Sequence, residues 1–372
     1  MLSDTFRKNS KKNTDGAITN VICNSAKNGL IPQRDYFDKD IANADNTDGY
    51  YIIEKDDFVY NPRKSTEAPY GPVSIYKYTE KGIVSPLYLC FRALHPINAE
   101  FFDFYFKSSA WHRYIYLAGD SGTRHDRVSI RDDVFFAMPI SLPSAAEQDK
   151  ISSLFILIEQ RIKAQSALVE TLKKYKRGLL QHIMRQNNDW EKVRLSDILF
   201  ERKTYCEKDG TYEHATLSKE GVYGKTDRYD RDYLVMDDEK KYKITKLGDL
   251  CYNPANLKFG VICLNTYGDA IFSPIYITFE IAPNYNKDFI GLLLTRADFI
   301  KRALRYQQGT VYERMAVSPE DLLTMEISVP TLETQNRIAH LFTNLDARIK
   351  KNEFVLEGLQ NGKKQLLSSL FV

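Results

Sequence analysis

The chain contains the stretch ISLPSAAEQDKISSLFILIEQRIK at residues 140–163 and a second version of it, ISVPTLETQNRIAHLFTNLDARIK, at residues 327–350. Both versions share Pro, Gln, Ile, Phe and the triplet Arg-Ile-Lys. Each shared residue is offset by 187 positions, as Pro143 and Pro330 are. A match of this length without a gap is not expected by chance. The chain therefore consists of two copies of one unit, and a two-fold repeat predicts a target with two related halves.

The repeat reaches back through the rest of the chain with small gaps. Three further pairs of segments mark it: Leu2-Ser3-Asp4 with Leu195-Ser196-Asp197, Tyr60-Asn61-Pro62 with Tyr252-Asn253-Pro254, and Ser85-Pro86 with Ser273-Pro274. The tails of the two copies match closely, whereas the remaining parts match only at scattered positions. This pattern is expected when one scaffold carries two different recognition surfaces.

Length and composition exclude several classes of protein. A chain of 372 residues has room for two or three domains, and a hydrophobic content of 43% is ordinary for a globular protein. No apolar run approaches the ~20 residues of a membrane span, and the N-terminus has no export signal, so we predict a cytoplasmic protein without membrane contact. The five cysteines show no Cys-x-x-Cys spacing and are expected to be reduced thiols rather than metal ligands.

The net charge of +3 is spread unevenly along the chain. Residues 145–187 carry +4 and residues 333–372 carry +2, so that the remainder carries −3. The globular parts are not basic as a whole. Any nucleic-acid surface on them must therefore be a local patch, and bulk charge alone does not indicate DNA binding.

The pattern of the chain alternates between two textures. Residues 1–142 and 188–330 show short β-prone stretches separated by Gly, Pro and Asp turns, which predicts two α+β domains. The tails contain no internal proline and repeat apolar residues at spacings of three and four, which predicts two helices of about 40 residues. The predicted seam residues are Ile151, Leu154, Ile158, Arg161, Gln165, Leu168, Leu172, Tyr175 and Leu179 in the first helix, and Ile338, Leu341, Leu345, Arg348, Asn352, Val355, Leu359 and Leu366 in the second.

The two seams are expected to pair with each other, because each apolar stripe needs a partner and the other helix carries a matching one. Antiparallel pairing returns the second helix toward the first domain. The predicted architecture has two globular domains separated by a long antiparallel two-helix coiled coil, with pseudo-two-fold symmetry. Its predicted boundaries are residues 1–142, 143–187, 188–330 and 331–372.

The helical repeat resembles a known family. The phrase Pro-x-x-x-x-Gln-x-x-Ile, followed by Phe, Arg-Ile-Lys, a leucine seam and Lys-x-x-Leu-Leu, is similar to the conserved region of specificity subunits of type I restriction–modification enzymes. It stands here twice, beginning at Pro143 and at Pro330. The segment from Trp190 to Asp197 resembles the entry to that family's target-recognition domain. The first unit, which begins at Met1, lacks this Trp-containing lead-in.

The resemblance implies a DNA-binding function without catalysis. Each globular domain would be a target-recognition domain that reads one half of a split double-stranded DNA site, with the helices setting the spacer. The helices would also dock two methyltransferase (modification) subunits. Two restriction subunits, with translocase and nuclease activity, would be further partners. S-adenosylmethionine, ATP and Mg would be bound by those partners, and no cofactor by this chain.

Two polar loops at equivalent places in the repeat are the main candidates for DNA contact: Gly122–Arg127 and Gly309–Arg314. Arg pairs with guanine edges or phosphate, and Gln or Asn with adenine. The predicted DNA-binding residues are Arg63, Lys64, Arg124, His125 and Arg127 in the first domain, and Lys258, Arg305, Gln308, Tyr312 and Arg314 in the second. Alternatively, the ion pairs Asp126–Arg127 and Glu313–Arg314 hold the loops. No catalytic or metal-binding residue is predicted.

The Asn-Pro segments at Asn61 and Asn253 are similar to the Asn-Pro-Pro-aromatic loop of adenine methyltransferases, but both lack the second proline and the aromatic residue. We interpret them as framework turns, with a loop beside the DNA backbone as the alternative. No glycine-rich nucleotide loop or Walker A sequence is present. The lysines and arginine of residues 173–177 are interpreted as a solvated helix face, or alternatively as contacts to phosphates or partners.

Two rival functions stay open at this point. The first is a coiled-coil scaffold that carries two peptide-binding domains, which predicts no salt-dependent DNA affinity. The second is an enzyme with a site in one globular domain. The chain has only six histidines and no evident acid–base pair, which argues against this function.

Overall fold

The computed structural model describes residues 1–36, 47–119, 126–185, 189–207, 210–225, 241–308 and 315–371. The chain divides into two compact units. Unit 1 is Met1–Val169 together with Asn352–Val372, and unit 2 is Glu170–Lys351. Among the helices in the described ranges, none is long and apolar enough to cross a membrane.

Unit 1 combines short strands with four short α-helices and one long helix in its described residues. Its elements are a 3-10 helix at Leu2–Asp4, β1 (Phe6–Lys8), β2 (Ile22–Ser25), β3 (Gly29–Pro32), α1 (Gln33–Tyr36), β4 (Tyr51–Ile53), β5 (Phe58–Tyr60), β6 (Val73–Ile75), β7 (Gly82–Val84), β8 (Leu89–Ala93), α2 (Ala99–Lys107), α3 (His112–Ala118), α4 (Asp132–Phe136) and α5 (Ala145–Arg185), which continues into unit 2. One antiparallel sheet has the order β1-β8-β5-β6, beside the pairs β2-β3 and β4-β7.

Unit 2 repeats this plan and adds a strand pair. Its elements are β9 (Glu191–Arg194), a 3-10 helix at Leu195–Asp197, β10 (Leu199–Glu201), β11 (Tyr205–Cys206), β12 (Glu213–Ser218), β13 (Gly221–Gly224), β14 (Tyr242–Thr245), β15 (Leu250–Tyr252), a 3-10 helix at Pro254–Phe259, β16 (Ile262–Leu264), β17 (Ala270–Phe272), β18 (Ile277–Ile281), α6 (Lys287–Leu294), α7 (Ala297–Ala303), a 3-10 helix at Leu304–Tyr306, α8 (Pro319–Leu323), β19 (Glu326–Val329) and α9 (Leu332–Leu370), whose end lies in unit 1. Strand β9 pairs with β19.

The two units have the same sheet topology. The four-stranded sheet of unit 2 has the order β10-β18-β15-β16, which corresponds strand for strand to β1-β8-β5-β6. Within it Tyr252 lies opposite Ile277, as Tyr60 lies opposite Leu89 in unit 1. The second sheet of unit 2, β11-β14-β17-β12-β13, contains the counterparts of the pairs β4-β7 and β2-β3. The prediction of mixed helix and sheet is confirmed.

Equivalent helices also begin in the same way. The side chain of Asn98 accepts a hydrogen bond from the Phe101 amide at 2.9 Å, and that of Asn286 accepts one from the Phe289 amide at 2.9 Å. An Asn at this position satisfies an amide that the first helical turn leaves without a partner. Helices α2 and α6 therefore start at positions that the sequence sets locally.

The repeated Pro-x-x-x-x-Gln motif has a structural reason at the start of each long helix. Gln148 donates its side-chain amide to the carbonyl of Pro143 at 3.0 Å, and Gln335 donates to that of Pro330 at 2.9 Å. Gln335 also accepts from the backbone of Asn286 at 3.0 Å. The glutamine ties the helix start to the strand or extended segment before it, which explains why the motif occurs in both copies.

The cores of the two units differ in composition. In unit 1 the buried cluster is dominated by aromatic side chains: Phe6, Phe58, Tyr60, Phe91, Phe101, Phe102, Phe104, Phe106, Trp111, Phe135, Phe155 and Phe371. In unit 2 the corresponding cluster is mainly aliphatic: Leu195, Ile198, Leu199, Leu250, Leu257, Ile262, Ile290, Leu293, Leu294 and Ile327, with Tyr252, Phe279 and Phe289. The same topology is therefore filled by two different sets of side chains.

A buried aspartate precedes the same strand in each unit. Asp57 accepts hydrogen bonds from Arg92 on β8, with Nη2 at 2.7 Å, whereas Asp249 accepts them from Arg202, which follows β10, with Nε at 2.8 Å. Burying a carboxylate is costly unless it is paired and hydrogen-bonded. The carboxylate has stayed in place while its arginine comes from a different strand, with Glu280 standing where unit 1 has Arg92.

The end of each long helix packs into a core. In unit 1, the ring of Phe371 at the end of α9 lies 5.3 Å from that of Phe101 and 5.9 Å from that of Phe155. In unit 2, Met184 near the end of α5 is buried in the aliphatic cluster. Met184 and Phe371 are themselves offset by 187, so the two copies of the helix end in the same kind of contact.

Within each unit the long helices contact each other in opposite directions. In unit 1 the side-chain amide of Gln165 donates to the side chain and the carbonyl of Asn352, both at 2.9 Å, and Glu159 pairs with Lys363 at 2.6 Å. Residue numbers fall along α9 as they rise along α5, so the segments are antiparallel. In unit 2 Lys176 pairs with Asp346, at positions offset by 187 from Lys363 and Glu159.

Ten of the 17 predicted seam residues are at least partly buried, and for the other seven the covered position is the next residue along the helix. The series 151, 158, 165, 172 and 179 is at least partly buried, as is the series 338, 345, 352, 359 and 366. The intervening positions predicted as seam are exposed, at 41% for Leu154, 41% for Leu168, 58% for Tyr175, 43% for Leu341 and 39% for Val355. Arg161 and Arg348 are exposed as well. The next residues along are covered instead: Phe155, Val169, Phe342 and Ile349 are buried, and Ile162, Lys176 and Leu356 are partly buried.

Candidate nucleic-acid interface

The Asn-Pro segments follow β5 and β15 and begin with the same hydrogen bond, after which unit 2 continues into the 3-10 helix Pro254–Phe259 and unit 1 does not. The side chain of Asn61 accepts a hydrogen bond from the amide of Arg63 at 3.1 Å, and that of Asn253 accepts one from the amide of Ala255 at 3.1 Å. An asparagine that bonds the backbone two residues on is a standard turn former. This geometry supports the framework-turn interpretation, and it places Arg63 on the first residue after the turn in unit 1.

Arg127 lies beside that turn. It forms an isolated antiparallel bridge with Arg63, and the amide of Lys64 donates to the carbonyl of Asp126 at 2.8 Å. The segment that follows residues 120–125 is thus fixed along the turn. Three of the predicted DNA-binding residues, Arg63, Lys64 and Arg127, are brought together in this way.

These three residues line an open cleft with a volume of about 560 Å³. Its other walls come from the β2–β3 turn, which contributes Lys27, and from the segment before β8, which contributes Tyr88. Four cationic side chains therefore surround the cleft, and the carboxylate of Glu67 is also on its lining. The cleft is a local basic patch in a unit that is not basic as a whole.

Two side chains of the cleft, Tyr88 and Arg127, carry groups that can form hydrogen bonds. Burial raises the pKa of the Tyr88 phenol, while the Arg63 guanidinium opposes part of that rise, so the hydroxyl stays protonated at neutral pH. The Nε atom of Arg127 is buried and has no hydrogen-bond partner among the described residues. Asp126 approaches it only to 3.9 Å, and the Arg127 side chain is 33% exposed. The Asp126–Arg127 ion pair expected from the sequence is therefore present, but it is long.

The described candidates of unit 2 are engaged differently. The Lys258 ammonium lies 5.1 Å from the centre of the Phe259 ring, and both residues are exposed. The side chain of Gln308 donates to Asp321 at 3.1 Å, and its backbone exchanges two hydrogen bonds with Ala316, each at 2.9 Å. Arg305 is exposed on the 3-10 helix Leu304–Tyr306. These side chains lie on separate segments, and the backbone of Gln308 is bridged to that of Ala316.

Four predicted residues lie outside the described residues: Arg124 and His125 in the first loop, and Tyr312 and Arg314 in the second. Their assignment as DNA-binding residues stays a prediction.

The hydrogen bonds align the two loops differently from the repeat in the sequence. The amide of Val128 donates to the carbonyl of Pro62 at 2.9 Å, and the amide of Val317 donates to that of Pro254 at 3.3 Å. Because Pro62 and Pro254 are equivalent, Val128 corresponds to Val317. Arg127 therefore corresponds to Ala316, rather than to the residue 187 positions later.

Sequence reasoning missed Lys27 and Tyr88. Lys27 lies in a hairpin turn with no motif around it, and only folding brings it to the cleft. Tyr88 had a signal, because the repeated Ser-Pro pair at 85 and 273 is followed in both copies by an aliphatic residue and a tyrosine. Of the residues that the structure describes, no three His, Cys, Asp or Glu side chains form a group that could hold a metal ion.

Two α+β units with one topology, diverged loops and a basic cleft define a macromolecular recognition protein. Residues 187–357 match the family model of the type I restriction modification DNA specificity domain. This part of the chain is similar to that DNA specificity domain. The resemblance read from the repeated helix motif is confirmed.

Solved structures share the fold over the whole chain. One is a chain from a structure on complex assembly and conformational transition of the type I R-M system, with a TM-score of 0.60, 12% identity and coverage of 100% of this chain and 96% of that chain. The HsdS subunit from Thermoanaerobacter tengcongensis has a TM-score of 0.53, 15% identity and coverage of 98% and 94%. The type I S subunit from M. genitalium has a TM-score of 0.55, 13% identity and coverage of 100% and 95%. No curated protein sequence matches this chain.

Proposed function

We propose that this chain is the specificity subunit of a type I restriction–modification system that reads a split double-stranded DNA site. Unit 1 reads one half-site and unit 2 reads the other. One observation carries the proposal: both units have the same strand order and the same Asn-Pro turn, while the side chains around that turn differ. A common frame with two different surfaces is what recognition of two different half-sites requires.

The long helices are proposed to be the spacer between the two readers. The proposed domains are residues 1–142 and 188–330, joined by an antiparallel coiled coil of residues 143–187 and 331–372. Two observations support the pairing. Gln165 bonds its own counterpart in the repeat, Asn352, and the Lys–acid pairs of the two units stand at equivalent positions. A polar pair at a seam position fixes the register of a coiled coil.

Docking of two methyltransferase subunits on these helices is proposed from their exposed apolar side chains. Leu154 and Leu341 are exposed at equivalent positions, and so are Leu168 and Val355. Exposed apolar side chains arranged along one stripe mark an interaction surface. The partners, with restriction subunits as a further addition, would bind S-adenosylmethionine, ATP and Mg, and we expect the assembly in the cytoplasm.

A methylome tests the proposed function. The chain is co-expressed with the methyltransferase subunit encoded beside it, and modified adenines are mapped by single-molecule sequencing. We expect one split motif, with two short half-sites and a fixed gap. A soluble, assembled complex that methylates no site, or methylates one continuous site, would overturn the proposal and favour the scaffold.

Helix length tests the spacer. Seven residues are inserted on facing turns, after Gln165 in α5 and before Asn352 in α9, which adds ~10 Å to each helix. The preferred gap should then lengthen by about three base pairs, since base pairs are spaced at ~3.4 Å. An active variant with an unchanged gap would contradict the role of the helices as a ruler.

A further inference from the structure

The cleft of unit 1 differs from the same place in unit 2 in its charges. The equivalent turns align Arg63 with Ala255 and Lys64 with Asn256, and the equivalent hydrogen bonds to the prolines align Arg127 with Ala316. The framework around them is kept, because the asparagine, the proline and the tyrosine after the Ser-Pro pair occur in both units. The two copies therefore share the frame, whereas two arginines and a lysine of unit 1 stand where unit 2 has two alanines and an asparagine.

The neighbouring hairpin turn, in contrast, carries a lysine in both units. Lys27 lies in the β2–β3 turn and Lys219 in the β12–β13 turn, and both are exposed. The phosphate backbone is the same in both half-sites of a DNA target, whereas the bases are not. A contact to phosphate is expected to be common to both units, as this lysine is, and a contact to a base is expected to differ between them.

On this ground we propose that the cleft is a base-reading site in which Arg127, with Arg63 beside it, recognises a guanine. The inference rests on the proposed function, because it assigns one base of the half-site that unit 1 reads. Guanine presents two acceptors in the major groove, N7 and O6, and arginine is the side chain that binds both at once.

The geometry of the cleft fits this role. Arg127 is held at its backbone by the bridge to Arg63, and two-thirds of its side chain is covered, so its position is restricted. Its Nε is buried against the protein, so the exposed third of the side chain must supply the donors that meet guanine N7 and O6. The hydroxyl of Tyr88 is a further donor or acceptor on the same wall.

The test uses the assembled complex with the methyltransferase subunit and DNA duplexes that carry the split motif found by methylation mapping. Each base pair of the two half-sites is changed in turn, and Kd is measured for the wild type, Arg127→Ala, Arg127→Lys and Arg63→Ala. The matched control is Arg131→Ala, since Arg131 is 79% exposed, lies outside the cleft and pairs only with Asp133 in the described part of the chain. Melting temperatures confirm that each variant is folded.

For the wild type we expect about 10- to 100-fold discrimination at one guanine of the half-site read by unit 1. Arg127→Ala should reduce it to about twofold, leaving the other half-site unchanged. Arg127→Lys should keep the charge and lose most of the discrimination, because the lysine ammonium lacks the planar, rigid fork of donors with which the guanidinium matches N7 and O6. Arg131→Ala should behave as the wild type.

Three results would overturn the inference. Equal weakening on all sequences with a shallower salt dependence would make Arg127 a phosphate contact. Unchanged binding by both Arg127 variants would show that Arg127 does not contact the DNA. If Arg127→Ala does not fold, Arg127→Lys alone tests this outcome. A split motif without guanine in the half-site of unit 1 would refute base reading while leaving the proposed function standing, whereas no split motif at all would refute the proposed function itself.

Discussion

Unit 1 and unit 2 have one strand order but are filled and decorated by different residues. Phe6 and Phe58 in the core of unit 1 correspond to Leu199 and Leu250 in unit 2. Arg63 at the surface corresponds to Ala255. The topology therefore depends on the positions of apolar and turn-forming residues, and much less on which apolar residue is used. Cores tolerate substitutions that keep the total volume and the apolar pattern. The surface is then free to diverge with the target.

The largest change in the free energy of unfolding is expected at the helix ends, which pack into an aromatic core in unit 1 and an aliphatic core in unit 2. Phe371→Ala should lower the free energy of unfolding by about 3–5 kcal/mol and Met184→Ala by about 2–5 kcal/mol, since each leaves a cavity in a packed cluster. Denaturant titration measures both. Phe354→Ala is the control, because that side chain is 77% exposed on the same helix as Phe371. Equal effects for Phe371→Ala and Phe354→Ala would show that the helix end is not part of the core.

The two units also differ in how they neutralise a buried aspartate, because the arginine comes from a different place in the sheet in each unit. Arg202→Ala should cost about 3 kcal/mol, because the arginine is 14% exposed and leaves the Asp249 carboxylate without its cation. Arg92→Ala should cost less, about 2 kcal/mol, because Arg92 is 39% exposed and its pair with Asp57 is therefore better screened by water. Unfolding of each variant by urea gives these values.

A transplant tests whether the two solutions are interchangeable. Arg92→Glu should destabilise unit 1, and adding Asn9→Arg should restore most of the loss, because the double variant copies the arrangement of Arg202 and Glu280 in unit 2. No recovery in the double variant would mean that the exchange of strands depends on more than these two positions.

A smaller effect is expected at the polar contact between the long helices. Gln165→Leu should cost about 1 kcal/mol, because it removes two hydrogen bonds from a buried position. The double variant with Asn352→Leu should recover this stability, since replacing both partners by apolar groups is nearly neutral. If the single and double variants unfold at the same denaturant concentration, the amide pair does not contribute as the contact indicates.

The smallest effect is expected at the two equivalent ion pairs. Lys176→Ala and Lys363→Ala should each cost about 0.2–1 kcal/mol, because these pairs are partly exposed. The loss for Lys363→Ala should be the larger, since its side chain is 20% exposed and that of Lys176 is 28% exposed. Raising the salt concentration should reduce both differences, and effects that do not change with salt would point to packing of the lysine stems.

The repeat, the mixed helix and sheet, the two long helices and the resemblance to the family can all be predicted from the sequence. These features depend on local signals, because periodicity, turn residues and the Pro-x-x-x-x-Gln motif act over a few neighbouring positions. The helix starts at Asn98 and Asn286, and the turns after Tyr60 and Tyr252, belong to the same class.

The buried face of the long helices and the set of residues that line the cleft depend on tertiary packing. Apolar residues occur in adjacent pairs along the helix, Leu154 beside Phe155 and Leu168 beside Val169, so the pattern fits two faces and only packing selects one. The cleft joins residues 27, 63, 88 and 127, and the sequence alone cannot bring such distant positions together. The strand that supplies an arginine to each buried aspartate was decided in the same way, because that contact crosses between strands that are far apart in the chain.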